Sequence, residues 1–413
     1  MKQKPLIKHI HAVLAGSAIG LASFSSPTVM AGEFTDALTG GKPTVDIRLR
    51  YEGVNQKGKD DAAAFTERTR VGYLTGDYKG FTGFVEMSGT EALGGRKNYY
   101  VAAGPGAGGD ATKAVVLDPT ITVLNQAWIG YKVGSTAIKA GKQRIIFDTR
   151  FLGNVGWRQT EQVYTGVTLK TAIIPKTMLD YAYITDTRNP IGVDRIMKTH
   201  ALQAAYGGIP FGKLTAYAYL IDYDLNTLGA AEKDSQTTGL RFAGKTGISD
   251  SMKAIYHIEY ATQGKYADST NIGGDYTRAE LGLGFKKAAV KIGQEKLGGN
   301  GTHAFQTPLG TVHLYNGWAD MFIGPVGGTP ANGLIDNYLN VSGKALGMKL
   351  AAAYHDFSAD KGGSKYGTEY DLLAAKKFGK VYTAGVKYAS FSADSASTYK
   401  NTNKIWIWGE AKF

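Results

Sequence analysis

The chain has 413 residues, with 55 glycines, 25 tyrosines, no cysteine and a formal net charge of +12. Without cysteine it has no disulfide framework, thiolate metal site or haem-attachment motif. A mean hydropathy of -0.20, with no later run of roughly 20 uninterrupted apolar residues, excludes a bundle of membrane-spanning helices.

The sequence opens with Lys2, Lys4 and Lys8, an apolar run over 12–22 and the small-residue site Val29-Met30-Ala31 before Gly32. That is the pattern of a secretory signal peptide over residues 1–31, which leaves 32–413 as the exported chain. On an exported chain a basic balance points to a cation-rich lumen or surface that favours anions, rather than to nucleic acid.

From Val45 onward apolar and polar residues alternate, most clearly over 45–51, 69–75, 163–169, 179–185, 254–262, 279–285, 348–354 and 405–413. Successive side chains point to opposite faces of a strand. Ala254, Tyr256, Ile258 and Tyr260 therefore make a greasy face opposite Lys253, His257 and Glu259, and Ala279, Leu281, Leu283 and Phe285 oppose Arg278 and Glu280. In the last segment positions 405, 407, 409, 411 and 413 are uncharged, while Lys404, Glu410 and Lys412 take the other face. The terminal Phe413 is expected to anchor this strand and to contribute to the signal read by the barrel-assembly machinery. One face suits lipid and the other water, and without spanning helices only a closed barrel can cross a bilayer.

Short connections at 77–80, 133–135, 172–176, 207–212, 245–249, 286–287, 342–344 and 378–380 alternate with longer ones near 53–64, 93–118, 149–160, 187–196, 224–235, 263–275, 297–333, 356–367 and 392–402. These 17 connections predict an all-β fold, a transmembrane antiparallel β-barrel of about 18 strands. It forms one domain in the outer membrane of a Gram-negative bacterium, bathed in lipid, with both termini on the periplasmic side. So wide a wall encloses more space than its own side chains can fill. Segments 149–160 and 297–333, which mix glycine with aromatic and apolar residues, are the expected inward-folded loops.

Little in the chain resembles a catalytic site. Gly104-Pro105-Gly106-Ala107-Gly108-Gly109 matches GxGxxG only formally, since proline interrupts it, and reads as a flexible loop. The five histidines of the exported chain, at 200, 257, 303, 313 and 355, are scattered, so neither a metal nor another cofactor is expected. The pairs His257/Glu259 and Glu369/Asp371 each share a strand face directed into the lumen. Paired acids can serve glycosidases, but a polar barrel interior produces them automatically.

The densest functional signal lies between 139 and 161: Lys139, Lys142, Arg144, Asp148, Arg150, Arg158 and Glu161. Folded inward, the guanidiniums would line a constriction with carboxylates holding them by bidentate pairing. Arg48, Arg50, Arg68 and Arg70 alternate with apolar neighbours, away from lipid, where mid-depth charge would cost about 2 to 4 kcal/mol. Glu86, Glu259, Glu280 and Glu295 are expected to point inward as well.

Leu124-Asn125-Gln126-Ala127-Trp128, Gly141-Lys142-Gln143-Arg144-Ile145, Gly153-Asn154-Val155-Gly156-Trp157-Arg158-Gln159 with Glu161-Gln162, Phe305-Gln306-Thr307-Pro308-Leu309, Asn316-Gly317-Trp318-Ala319-Asp320, Tyr354-His355-Asp356-Phe357 and Lys404-Ile405-Trp406 together resemble the alginate export family of outer-membrane barrels. The resemblance runs in order from about 120 to the C-terminus. It implies an 18-stranded barrel and, for the exporter that names the family, an arginine-rich passage for a polyuronate. Many proteins with this domain look like porins, and here the charges are mixed. The reading is a porin-like channel, not an enzyme, passing small polar and preferably anionic solutes. Its rivals are an exporter of an acidic polysaccharide, a barrel enzyme needing Glu369 or His257, and a loop-mediated adhesin or receptor. The sequence gives no oligomeric state.

The protein purified from outer membranes should begin at Gly32 and show a mainly β circular dichroism spectrum. Recovery as a soluble periplasmic protein would refute the barrel.

Overall fold

The computed structural model describes residues 30–224, 234–323 and 328–413. The expected leader lies outside these residues up to position 29, and helix α1, Met30–Thr39, covers its last two positions and the start of the exported chain. The alternating segments then become eighteen strands of one sheet. In order they are β1 (Lys42–Gln56), β2 (Ala62–Leu74), β3 (Phe81–Ala92), β4 (Ile121–Val133), β5 (Thr136–Gln143) and β6 (Val163–Thr171). Next come β7 (Thr177–Arg188), β8 (Asp194–Ile209), β9 (Gly212–Ile221), β10 (Ser235–Ser249), β11 (Met252–Lys265) and β12 (Gly274–Phe285). The wall is completed by β13 (Ala288–Leu297), β14 (Leu334–Ala345), β15 (Met348–Ser358), β16 (Lys365–Phe378), β17 (Tyr382–Ala393) and β18 (Thr402–Lys412).

Each strand runs antiparallel to its chain neighbours, and β1 pairs with β18 from Asp46 against Lys412 to Gln56 against Thr402. The sheet is thereby closed, and no strand edge is left with bare N–H and C=O groups. The last residue finishes the seam. The Phe413 N–H donates to the Val45 carbonyl at 2.8 Å, and the Val45 N–H donates to the Phe413 carbonyl at 3.2 Å.

The register carries the alternation around the wall. Ile258, Leu281 and Ile292 are largely exposed on the outer face, whereas Trp406 on the inner face is fully buried. Near the periplasmic turns, aromatic side chains pair on the outside: Phe81 with Tyr131 at 4.5 Å, Phe242 with Tyr256 at 6.0 Å, and Tyr382 with Phe413 at 6.3 Å between ring centres. Such a girdle belongs at the membrane interface, where an aromatic ring meets both hydrocarbon and headgroups. A closed ladder with an apolar outer belt makes this an integral outer-membrane barrel. Helix α1 sits at the periplasmic end, where the Ala37 carbonyl accepts from the Gly76 N–H at 2.8 Å and the Tyr73 hydroxyl donates to the Leu38 carbonyl at 2.5 Å.

Two short turns lie beyond their expected places, at 250–251 and 346–347, and the loop expected over 53–64 shrinks to 57–61. At the rims the outer face meets headgroups and needs no strong hydrophobe, so the alternation fades while the ladder continues. Of the loop expected near 224–235, residues 225–233 lie outside the described residues. The β3–β4 connection is more ordered than a flexible loop. Gly108–Gly109 pairs with Tyr100–Val101 as a small ribbon, and Tyr99, Val101, Ala114 and Val116 pack on Val54, Ala62 and Ala64.

The β5–β6 loop (144–162) and the described parts of the β13–β14 loop (298–323 and 328–333) fold into the lumen, as expected, and pack on one another. The Gly153 N–H donates to the Leu309 carbonyl at 3.0 Å and the Thr311 N–H to the Thr149 carbonyl at 2.7 Å. Phe151 lies among Tyr217, Tyr219, Tyr276 and Phe305, with ring centres 5.2–5.9 Å apart. Phe322 lies against Phe357, Tyr366 and Tyr399 at 4.8–5.8 Å. The apolar core therefore sits inside the barrel, between loops and wall.

Deleting Phe413 removes the two hydrogen bonds that end the β1–β18 seam and should lower the yield of assembled barrel without lowering synthesis. Heat-modifiable gel mobility would measure this, and wild-type assembly would show that the terminus is dispensable.

Candidate functional site

The lumen is built on the inner faces of β1 and β2, where even-numbered side chains from Asp46 to Glu52 and from Thr66 to Arg70 point inward. Arg48 bonds Glu410 at 3.1 Å, and Arg68 pairs with Asp46 and, at 3.2 Å, with Glu410. Arg50 pairs with Asp118, which reaches in from the β3–β4 connection, and with Glu52 at 3.3 Å. Arg48 and Arg50 also donate to the Trp157 carbonyl at 3.1 and 2.8 Å. Two wall arginines thus hold the backbone of the β5–β6 loop.

The loop's own charges complete the network. Arg158 bonds Glu52 and Asp320, each at 2.9 Å, and joins the wall to the β13–β14 loop. Arg150 bonds Glu295 at 2.9 Å and the Asn316 amide oxygen at 2.9 Å. Glu161 receives Arg70 at 3.3 Å, the Arg144 Nε at 2.7 Å and the Asn125 amide at 2.6 Å, and Arg144 also reaches Glu86 at 2.9 Å. Asp148 pairs with Arg241 on β10. Burial alone would raise the Glu161 carboxyl, but Arg70 and Arg144 overcome it and hold it at about 2. Burial acts against the charge of Arg158 too, and Glu52 with Asp320 more than offsets it, so its value is raised.

A second cluster joins the β13–β14 loop to the neighbouring strands β16 and β17. The His313 Nδ1–H donates to Asp320 at 2.7 Å, and its Nε2 accepts from the Lys387 ammonium at 2.6 Å. Burial, outweighing Asp320, pushes His313 down to about 3, so its imidazole is neutral. Trp157 stacks on that ring at 4.6 Å, and the Lys387 ammonium lies 3.7 Å from the Trp318 ring centre. Glu369 accepts from the Ala319 N–H at 2.6 Å and Asp371 from the Trp318 N–H at 3.1 Å. Gly317 sits between them at φ +80°, where any side chain would strike the Glu369 carboxylate.

The expected residues are thus divided. The arginines, Asp148 and Glu161 face inward, yet Arg50, Arg70, Arg150 and Arg158 are buried ties between loop and wall, and Arg68 is a buried tie between wall strands; Arg144 is the most exposed of these arginines at 32%. Lys139 faces inward over the Trp128 ring at 4.0 Å. Lys142 requires correction. It shares the outer face with Ile138 and Ala140 at the extracellular end and pairs with Asp186 and Asp194, each at 3.6 Å, so it does not line the pore. On the opposite wall His257 bonds Glu259 at 2.9 Å, and Arg278 bonds Glu280 at 3.2 Å. Unforeseen were Glu52, Asp118, His313, Asp320 and Lys387. Strand alternation alone could have found Lys387, flanked by Val386 and Tyr388, whereas Asp118, His313 and Asp320 lie in aperiodic loops.

No protein-family model matches the chain, and no curated protein matches it. Solved structures share its fold. OccAB2 of Acinetobacter baumannii superposes with a TM-score of 0.70 at 15% identity, over 92% of this chain and 99% of that one. OccD3 (OpdP) of Pseudomonas aeruginosa gives 0.68 at 15%, over 91% and 92%, and P. aeruginosa OpdK with vanillate gives 0.67 at 12%, over 90% and 98%. These are outer-membrane porins, so the likeness is to a porin-like barrel and not to the alginate export family in particular. Several motifs that resemble that family, including Gly153 to Gln159, Phe305 to Leu309 and Asn316 to Asp320, lie in the inward loops, where they make the loop–loop and loop–wall contacts.

The loop lock should weaken in acid. A released loop takes up a proton on His313 near the ordinary value of 6.5 and the docked loop only near 3, so docking loses stability as pH falls below 6.5, by up to about 1.4 kcal/mol per unit. Glu161, ordinarily near 4.5 and held at about 2, gives full stabilisation above 4.5 and loses it as pH falls toward 2. Limited proteolysis of the β13–β14 loop should be faster at pH 5.5 than at 7.5, and His313→Gln should flatten that dependence. Equal rates at both pH values in the wild type would refute the assignment.

Proposed function

We propose that this protein is a porin-like channel through which small polar solutes, anions in preference, diffuse across the outer membrane. The observation that carries this reading is a closed, wide barrel whose two inward loops are fixed to the wall by buried ion pairs. Loops held in that way narrow a water-filled passage while keeping its shape. No energy source or cofactor is needed. Its partners in this reading are membrane lipid, the assembly machinery and the solute. OpdK, a structure of the same fold, was solved with vanillate, a small aromatic carboxylate of the size and charge proposed.

The alternatives fit less well. Glu369 and Asp371 are fully buried and accept loop N–H groups, which argues against a glycosidase pair open to substrate. An exporter of an acidic polysaccharide would need available cations where the passage narrows, whereas the arginines at the level of the loops are matched by carboxylates, and the solved structures compared above are porins.

Liposomes containing the purified barrel should swell faster in a small monocarboxylate than in a neutral polyol of equal size. The preference should shrink between 0.1 and 1 M salt as the Debye length falls from about 10 to about 3 Å. Equal rates for both solutes at low salt would remove the anionic preference, and no swelling in either would remove the channel.

A further inference from the structure

If the protein is a channel, its arginine cluster is poorly suited to select anions. Arg48, Arg50, Arg68, Arg70, Arg144 and Arg158 pair with Asp46, Glu52, Glu86, Asp118, Glu161, Asp320 and Glu410. With Lys404, 3.7 Å from Asp320, and Lys412, which pairs with Asp46 and Glu410, the two signs nearly balance. A solute arriving there meets a region of little net charge.

The periplasmic mouth differs. Because the strands run on past their expected ends, Lys245 and Lys344 belong to β10 and β14 rather than to turns, and their register fixes their direction. Lys245 shares the inner face of Arg241, and Lys344 that of Asp336 and Tyr338. Lys213 on β9, Lys253 on β11, Lys349 on β15 and Lys377 on β16 share the inner faces of Tyr217, Glu259, His355 and Asp371 respectively. All six are exposed, and no ion pair is found for any of them among the described residues.

Their placement works against stability. Lys344 stands directly opposite Lys349, an arrangement of like charges that destabilises a sheet. Lys253 faces Gly247, which sets Lys245 at its diagonal. On the strands that carry the collar the inward carboxylates lie well up the wall, and Glu280 on the neighbouring β12, level with His257, is already taken by Arg278 and Lys291. Glu259 is six residues above Lys253 and Asp371 six above Lys377, about 20 Å along a strand and about two Debye lengths at 0.1 M salt. The field of these lysines is therefore not cancelled locally.

We infer that the anion preference of the channel is set by this collar of unpaired, inward-facing lysines at the periplasmic mouth, and not by the arginines at the level of the loops. Rings of charge at a pore mouth raise the local concentration of counter-ions. The wide setting makes each contact weak, so an anion is drawn in without being held. This rests on the channel reading.

The test compares the wild type with a Lys245→Gln, Lys253→Gln, Lys344→Gln and Lys349→Gln variant in planar bilayers under a potassium chloride gradient, after heat-modifiable mobility has confirmed assembly. The wild type should favour chloride at 0.1 M salt, and the variant's chloride-to-potassium permeability ratio should fall to about 1. The same four positions changed to Glu should invert the sign. Lys376→Gln, on the outer face of β16, should leave the ratio unchanged, and Arg144→Gln should change it less than the collar does. A conducting collar variant with the wild-type ratio would overturn the inference while leaving the channel intact. An assembled wild type with no conductance would overturn both.

Discussion

Eighteen strands can cross a bilayer only if the first pairs with the last, because each N–H or C=O left unpaired in hydrocarbon costs several kcal/mol. The β1–β18 ladder meets that requirement, and its circumference then imposes the next problem, an interior that wall side chains cannot fill. The β5–β6 and β13–β14 loops enter that space. Once there, they must satisfy their own backbone away from bulk water. That need accounts for the lumen's chemistry: arginines on the Trp157 carbonyl, carboxylates on the N–H groups of Trp318 and Ala319, and the Leu309 carbonyl bonded to Gly153.

Buried ion pairs are a costly way to attach a loop, since desolvation takes back much of the attraction, but removing one partner strands the other charge at about 3–5 kcal/mol. Arg158 illustrates the point. With Glu52 on the wall and Asp320 on the other loop, it ties three segments together, as Arg150 does through Glu295 and Asn316, so misplacing either loop would leave a bare buried charge. The network contributes uniqueness of arrangement more than net stability. The apolar contacts of Phe151 and Phe322 supply the ordinary packing beside it.

The barrel was legible in the sequence because a strand with one face in lipid and one in water cannot hide its period. Strand number, closure and the two inward loops could all be read from alternation, turn spacing and the misplaced aromatics of 297–333. Strand ends could not, since the period disappears at the headgroups while hydrogen bonding continues, as at Lys245 and Lys344. The charged residues were legible as to face but not as to partner. Arg50 reads plainly as inward, yet its pairing with Asp118 depends on how an aperiodic connection folds, and no spacing predicts that. Lys142 went astray differently. It was read as part of a charge cluster, when its alternation with Ile138 and Ala140 already assigned it to the outer face.

A diffusion channel faces opposing demands, since groups that attract a solute strongly also retain it. In the proposed channel the two demands are separated along the axis. At the level of the loops, where the lumen is most filled and the dielectric lowest, an unmatched guanidinium would hold an anion with far more force than in water. Each of those arginines is instead answered by a carboxylate, and the charges there keep shape. At the periplasmic mouth the walls stand apart and solvent screens, so unmatched lysines attract weakly and only over about a Debye length. Shape control where the field would be strongest, and attraction where it is weakest, would let one barrel favour a class of solute without binding it.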